Sequence, residues 1–128
     1  MRPAVRQWVA KAERDFQTAK TLAASLTRDL YESTGFHAQQ CIEKYAKAFL
    51  TEAGIPFYKI HDLTALLNAG ATANPSLARF ARTVAPLNRF AVLFRYPGSE
   101  PRKRDVQRAL KAMSMLRGIL RRRLGLKP

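Results

Sequence analysis

Apolar residues recur every three to four positions along most of the chain, which is the spacing of amphipathic helices. Two long stretches, residues 4–26 and 31–53, show this spacing first, and Gly54 with Pro56 ends the second. The positions predicted to face the core are Val5, Trp8, Ala12, Ala19, Leu22 and Leu26 in the first helix, and Ala38, Cys41, Ile42, Tyr45, Phe49 and Ala53 in the second.

The second half of the chain continues the helical pattern. Asp62 is the predicted N-cap of a short helix over residues 63–68, and Pro75 opens a fourth helix that Pro86 should kink. A last helix is predicted over residues 102–124. The predicted core positions are Leu77, Phe80, Val84, Leu87, Ala91 and Phe94 in the fourth helix, and Val106, Ala109, Met113, Leu116 and Leu120 in the last.

No segment alternates between polar and apolar residues as a strand would. The pattern therefore predicts an all-α fold, an antiparallel up-and-down helical bundle of four long helices plus a short one. We expect a single domain over residues 1–128, with its core at about 5–124.

Charge is the unusual part of the composition. The chain has 23 Lys and Arg against 9 Asp and Glu, a formal net charge of +14. Such a charge should attract polyanions such as RNA, DNA, nucleotides or an acidic protein. An arginine-rich composition that only keeps the protein soluble is the alternative. The segment from Arg102 to Lys127 carries 10 of the 23 basic residues, which suit the carboxyl end of a helix dipole and also form the densest anion-attracting patch.

Cysteine content and hydropathy bear on the cellular setting. The single Cys41 excludes an internal disulfide and faces the predicted core, where we expect it to be inert. No apolar run of about 18 residues is present, so no membrane span is predicted. Without a recognisable secretory leader after Met1, we expect a cytoplasmic protein.

Several charged residues do not fit the helical pattern. Asp15 falls within the apolar stripe of the first helix and must be paired there, either in an ion pair between helices or as a site carboxylate. Arg95 is its candidate partner. Glu43 and Lys47 are predicted to form an i,i+4 pair on the outer side of the second helix.

The back of the fourth helix carries a second pattern. Arg82, Arg89 and Tyr96 are seven residues apart and should share one face, opposite the core stripe. Apolar residues flank this face: Phe90, Val92 and Leu93. We expect the apolar residues to form a homodimer interface, with the arginines bordering a cleft between subunits.

The two histidines, His37 and His61, have no carboxylate or cysteine at metal-ligand spacing, so no metal site is predicted. Capping or a structural contact is the ordinary role of such a histidine, although either could titrate near neutral pH at the border of a cleft. Nucleophile motifs and glycine-rich phosphate loops are absent, and no cofactor is expected.

Three motifs together resemble the HEPN domain (higher eukaryotes and prokaryotes nucleotide-binding). They are His37-Ala38-Gln39-Gln40 followed by Glu43-Lys44 and Lys47-Ala48, then His61-Asp62-Leu63, and Arg95-Tyr96-Pro97-Gly98. Trp8 and Asp15 in the first helix also match, so the resemblance covers about residues 5 to 124.

The resemblance implies a helical bundle that commonly dimerises. Many prokaryotic members pair with a minimal nucleotidyltransferase as a toxin–antitoxin system. Active members of the superfamily are metal-independent endoribonucleases that use an Arg, four to six residues, then a His. Neither histidine of this chain follows an arginine at that spacing, and with Arg89 in the arginine position Phe94 takes the place of the histidine. Because phenylalanine cannot transfer a proton, the ribonuclease activity does not carry over from the motif.

The leading prediction is therefore a HEPN protein that binds a nucleotide or RNA phosphate and does not cut, as the partner of a minimal nucleotidyltransferase. The residues predicted to bind are Arg95, Tyr96, Lys44, His37, His61, Asp62 and Arg89. A divergent endoribonuclease toxin that uses Arg95 with His61 or His37 is the first alternative. A non-catalytic structural partner subunit is the second.

Overall fold

Three long helices dominate the computed structural model, which describes residues 1–128. They are α1 (Pro3–Ala23), α2 (Tyr31–Ala53) and α6 (Lys103–Arg123). The central helix is α2, which packs against α1, α6 and the short helix α3 (Leu63–Gly70). The chain contains no strand, and the all-α fold class is confirmed.

Local sequence signals fix where the helices end. Gly54 closes α2 in the left-handed region, at φ 70°, where an L side chain would be strained. The backbone N–H of Ile55 then donates to the Leu50 carbonyl at 2.9 Å. At the start of α3, Asp62 Oδ1 accepts the Ala65 N–H at 2.9 Å, which confirms the predicted N-cap.

The predicted fourth helix is not a single helix. Five short segments replace it: a 3₁₀ helix Pro75–Phe80, α4 (Ala81–Val84), a 3₁₀ turn Ala85–Leu87, α5 (Asn88–Ala91) and a 3₁₀ turn Leu93–Arg95. Pro86 has no N–H to donate to an α-helical ladder, and it lies in the 3₁₀ turn that separates α4 from α5. Its role is therefore a break where we predicted a kink.

The core follows the predicted stripes closely in α2 and α6 and less closely in α1, where Trp8, Leu22 and Leu26 are only partly buried. Twenty-three buried residues form one cluster, which includes every predicted position of α6 and five of the six in α2. Ala53, the sixth, is exposed because it lies in the last turn of α2. Phe90, predicted to flank an outer face, is buried and only 1% exposed. The reason is Gly35 on α2, since a Cβ there would overlap the Phe90 ring.

None of the helices combines the length and the apolarity that crossing a bilayer requires.

Candidate functional site

A strip of polar and aromatic side chains runs along one face of α2. Phe36, Gln40, Glu43 and Lys47 occupy positions i, i+4, i+7 and i+11, which lie above one another on a helix. At 1.5 Å per residue this strip is about 16 Å long. Together with His37 and Lys44 on its edge, we call it the α2 polar face. Its two ends hold two distinct clusters of side chains.

The first cluster, the His37 site, is organised by Asp15 from α1. His37 Nδ1 lies 2.8 Å from Asp15 Oδ1, and Lys44 Nζ lies 2.5 Å from Asp15 Oδ2. Asp15 itself is only 7% exposed. The expectation that this carboxylate must be paired is confirmed. Each of its two oxygens contacts a different side chain of α2, Oδ1 that of His37 and Oδ2 that of Lys44.

Arg95 is not the partner of Asp15, contrary to our prediction. Its guanidinium carbon lies 4.5 Å from the centroid of the Phe36 ring and makes a cation–π contact there. The Phe36 ring in turn meets the His37 ring edge to face, with centroids 5.5 Å apart. The 3₁₀ turn Leu93–Arg95 thus brings Arg95 to the same end of α2 as His37. The next residue, Tyr96, is 63% exposed.

The second cluster, the Lys47 site, lies at the other end of the α2 polar face. Lys47 Nζ is 3.0 Å from Glu43 Oε2 and 2.9 Å from His61 Nδ1. The rings of Trp8 and Phe57 flank the ammonium, with centroids at 5.3 and 5.9 Å.

The placement of the Glu43–Lys47 pair on the outer side of α2 was wrong. Glu43 is 6% exposed and Lys47 is 4% exposed. Trp8 from α1 and Phe57 from the loop after α2 cover the pair, and neither contact can be inferred from the spacing along α2 alone. Of the three polar side chains of this cluster only His61 is exposed, with 65% of its side chain reaching solvent.

A third group, which the sequence did not reveal, joins the three long helices. Arg117 on α6 donates to both oxygens of Glu13 on α1, each at 2.7 Å. The Tyr45 hydroxyl donates to Glu13 as well and accepts from Arg121 Nη1 at 2.9 Å. Glu13 and Arg117 are 104 residues apart, so no local pattern could have paired them.

The titration behaviour of this third group follows from its contacts. The hydrogen bonds from Arg117 hold the pKa of the Glu13 carboxyl below its ordinary value of 4.5. Burial raises the pKa of the Tyr45 phenol, and burial also raises the pKa of the Cys41 thiol. The thiol is fully buried and protonated, which agrees with the expectation that Cys41 is inert.

The remaining predicted site residues do not join the α2 polar face. Arg89 lies 3.4 Å from Asp105 at the start of α6, and its guanidinium lies over the Phe94 ring at 5.1 Å. Asp62 is used as the cap of α3. Because Arg82, Arg89 and Tyr96 fall in separate short segments, they do not share the single helix face that we predicted.

The structure therefore brings together three of the predicted binding residues, His37, Lys44 and Arg95. It contains no group of three or more His, Cys, Asp and Glu side chains that could hold a metal ion.

Fold and site define an all-helical, strongly basic domain with two clusters of polar side chains on one face of its central helix. The chain belongs to the HEPN domain family, because the family model matches residues 5–123. Comparison with curated proteins and with solved structures gives no significant match. At the position where the superfamily's ribonuclease motif would require its histidine, Phe94 is buried and packs on Phe90 with ring centroids 4.9 Å apart.

Proposed function

We propose that this protein binds the phosphate group of a nucleotide or of RNA at the His37 site. One observation carries the proposal: His37 and Lys44 are held by a single carboxylate, Asp15, beside the unpaired guanidinium of Arg95. The cluster therefore has more positive than negative charge, and its donors are already positioned.

The chemistry of these side chains suits a phosphate. An arginine without a carboxylate partner can donate two parallel hydrogen bonds to phosphate oxygens, and a lysine supplies a compact charge. The Phe36 ring and the exposed Tyr96 ring provide aromatic surface on which a base can stack. The net charge of +14 would draw such ligands to the protein from solution.

Titration of ATP, GTP and a short single-stranded RNA into the protein tests the proposal, by calorimetry at about 50 and 200 mM salt. Arg95→Gln and Lys44→Gln should each weaken binding about tenfold, the loss of one charge-assisted contact. Arg104→Gln removes an equal charge from the exposed side of α6 and should change affinity less than about twofold. Equal weakening by all three variants would show attraction by net charge alone and would refute a defined site.

A homodimer is part of the same proposal. Val92, Leu93 and Tyr96 are 62%, 45% and 63% exposed and form an apolar patch beside Arg95. A symmetric contact through this patch would place two copies of Arg95 near one cleft. Sedimentation velocity should show a dimer that Leu93→Glu converts to a monomer, whereas a monomeric native protein would contradict this part.

A minimal nucleotidyltransferase is the proposed protein partner, in a toxin–antitoxin pair, and this rests on membership of the HEPN family. Co-expression with the product of the adjacent reading frame should yield a stable complex. Failure to co-purify would remove the pairing and leave the phosphate site unaffected.

Endoribonuclease activity is a second candidate function, which the Asp15–His37 contact favours. A carboxylate on Nδ1 orients the imidazole and leaves Nε2 free to accept a proton. His37 Nε2 would take the proton of a ribose 2′-hydroxyl while that oxygen forms a bond to phosphorus and the bond to the 5′-oxygen breaks. The leaving 5′-oxygen takes a proton from solvent, and His37 afterwards releases to solvent the proton that it took from the 2′-hydroxyl. Arg95 stabilises the negative charge of the phosphorane.

This activity predicts RNA fragments that end in a 2′,3′-cyclic phosphate. Cleavage should disappear in His37→Ala and Arg95→Ala and persist in Arg104→Gln, and DNA of the same sequence should stay intact. Intact RNA after prolonged incubation with the native protein would exclude the ribonuclease and leave the binding proposal standing.

A further inference from the structure

A separate hollow lies between α6 and the short segments that replace the predicted fourth helix. Its volume is about 480 Å³. Four apolar residues form its floor, Pro86 and Leu87 from one side and Ala112 and Met115 from α6. Met115 is 37% exposed, although it is a large apolar side chain on a helix whose other large apolar residues face the core. We call this hollow the α6 groove.

All the charged residues around the α6 groove are basic, and its one other polar residue is Thr83. Arg82 lies on one side and Arg108 and Lys111 lie on the other, and no carboxylate lines the hollow. All three side chains are exposed, and none forms an ion pair within the chain. The contrast with Arg89 is informative, because that neighbouring arginine is neutralised by Asp105.

We propose that the α6 groove is the docking site for an acidic amphipathic helix of another protein. Aliphatic side chains of that helix would cover the floor, and its Glu or Asp side chains would meet Arg82, Arg108 and Lys111. This mode of binding lays the apolar face of a helix into an apolar groove, and methionine adapts well to such a partner. The proposal is independent of the phosphate site on the α2 polar face.

Charge decides between this occupant and a second copy of the chain. A second copy has only 9 Asp and Glu against 23 Lys and Arg, so it offers few carboxylates to neutralise this basic rim, whereas the proposed homodimer contact through Val92, Leu93 and Tyr96 is apolar and needs none. A helix rich in Glu and Asp is instead attracted to the basic rim, and this attraction also raises its association rate constant.

The chemistry of the floor argues against a nucleic acid strand in the α6 groove. Bases bind single-stranded sites by stacking on aromatic rings, and the floor of the α6 groove itself contains no aromatic residue. The one ring in the adjoining hollow, Phe80, is already in contact with the Arg79 guanidinium at 5.0 Å. Aliphatic groups would leave the polar edges of a base without hydrogen-bond partners.

The dimensions suit a short helix. Arg108, Lys111 and Met115 follow one face of α6 and span about 10 Å, or two helical turns. One turn further along α6, Ile119 and Phe80 are the apolar lining of a second hollow of about 280 Å³, and Arg79, Arg122 and Arg123 also line it. This continuation of apolar floor and basic rim extends the surface to about the length of a four-turn helix.

Two synthetic peptides of about 14 residues, four turns of helix, test the proposal by fluorescence anisotropy. One carries leucines on one helical face and glutamates on the other. The second has the same composition in an order that gives no apolar face, and a single-stranded oligonucleotide of equal charge serves as the third probe. The amphipathic peptide should bind at least about tenfold more tightly than the scrambled one.

Variants of the groove distinguish apolar docking from simple charge attraction. Arg108→Glu with Lys111→Glu should weaken the amphipathic peptide about tenfold or more, while Lys11→Glu with Arg14→Glu, an equal change of charge at exposed positions of α1, should weaken it far less. Met115→Lys should also weaken this peptide, although it adds a positive charge. Tighter binding by Met115→Lys, equal binding of the two peptides, or preference for the oligonucleotide at this groove would each overturn the proposal.

Discussion

His37 Nδ1 lies 2.8 Å from the Asp15 carboxylate, so in its neutral form His37 carries its proton on Nδ1. His61 has the opposite arrangement, because its Nδ1 lies 2.9 Å from the ammonium of Lys47, which can only donate, and this contact is shorter than the 3.4 Å from the same nitrogen to Glu43 Oε2. The two histidines of the chain therefore present the same nitrogen, Nε2, in different states: a lone pair on His37 and an N–H on His61.

This contrast is directly measurable. Long-range proton–nitrogen NMR spectra at pH values where both rings are neutral should show His37 as the Nδ1–H tautomer and His61 as the Nε2–H tautomer. Asp15→Asn should remove the preference at His37 and leave His61 unchanged. Identical tautomers in the native protein would contradict the geometry and would remove the free lone pair that the ribonuclease candidate requires.

Helix positions could be predicted well from the sequence where a stripe of apolar residues was long and unbroken. The range of α2 agrees with residues 31–53, and its end at Gly54 follows from local chemistry. The region from Pro75 to Arg95 differs, because it keeps the apolar spacing of a helix although its backbone is divided into five short helical segments. The apolar spacing indicates which residues face the core, but one long α-helix and a series of short α- and 3₁₀-helical segments can both turn those residues inward.

For the candidate site, the sequence indicated which residues take part better than it indicated which of them contact each other. His37, Lys44 and Arg95 do converge, but spacing along the chain does not distinguish Arg95 from the two α2 residues as partners of Asp15. The Lys47 site and the Glu13–Arg117 contact depend on how α1, α6 and the loop after α2 approach α2. Such tertiary contacts leave no signal in periodicity or spacing.

Gly35, which contacts the Phe90 ring, should be the core position that tolerates substitution least. Gly35→Ala places a methyl group inside the space of the Phe90 ring, and we expect a loss of about 2 kcal/mol in the free energy of unfolding. Gly118→Ala on α6 is the matched control, because the nearest atom that a Cβ there would meet, the Cβ of Pro128, is 3.9 Å away. That variant should gain about 0.5–1 kcal/mol, since alanine favours helix over glycine. Urea unfolding of both variants measures the difference, and similar effects of the two substitutions would rule out the close packing.

Glu13 should make the protein more stable at neutral pH than in acid. Because hydrogen bonds from Arg117 lower its pKa in the folded state, its contribution is present above 4.5 and is lost as the pH falls through the folded-state value. Glu13→Gln should cost about 2 kcal/mol at pH 7, and the gap from the native protein should close below 4.5.

The control for this pH dependence is Glu100→Gln, which removes an exposed carboxylate that has no ion pair. Its unfolding free energy should stay within about 0.5 kcal/mol of the native value at every pH. A gap for Glu13→Gln that persists unchanged below 4.5 would mean that the ionised carboxylate is not what joins α1 to α6.

The buried Glu43–Lys47 pair should be costly to break and cheap to replace. Lys47→Met leaves the Glu43 carboxylate, only 6% exposed, without its cation, and we expect a loss of about 3 kcal/mol. Glu43→Gln with Lys47→Met removes both charges, and methionine can fill the space between the Trp8 and Phe57 rings. The double variant should therefore lie within about 1 kcal/mol of the native protein.

A double-mutant cycle measured by urea unfolding gives the coupling energy between Glu43 and Lys47 directly. The same cycle on the exposed pair Arg2 and Glu52, which are 3.8 Å apart, serves as the reference and should give less than about 0.5 kcal/mol. If the two cycles gave equal values, the Lys47 ammonium would be solvated rather than enclosed by Trp8 and Phe57. A large coupling for the buried pair would instead show that Lys47 needs Glu43 in order to stay in that enclosure, because an ammonium without a counter-charge is too costly to bury there.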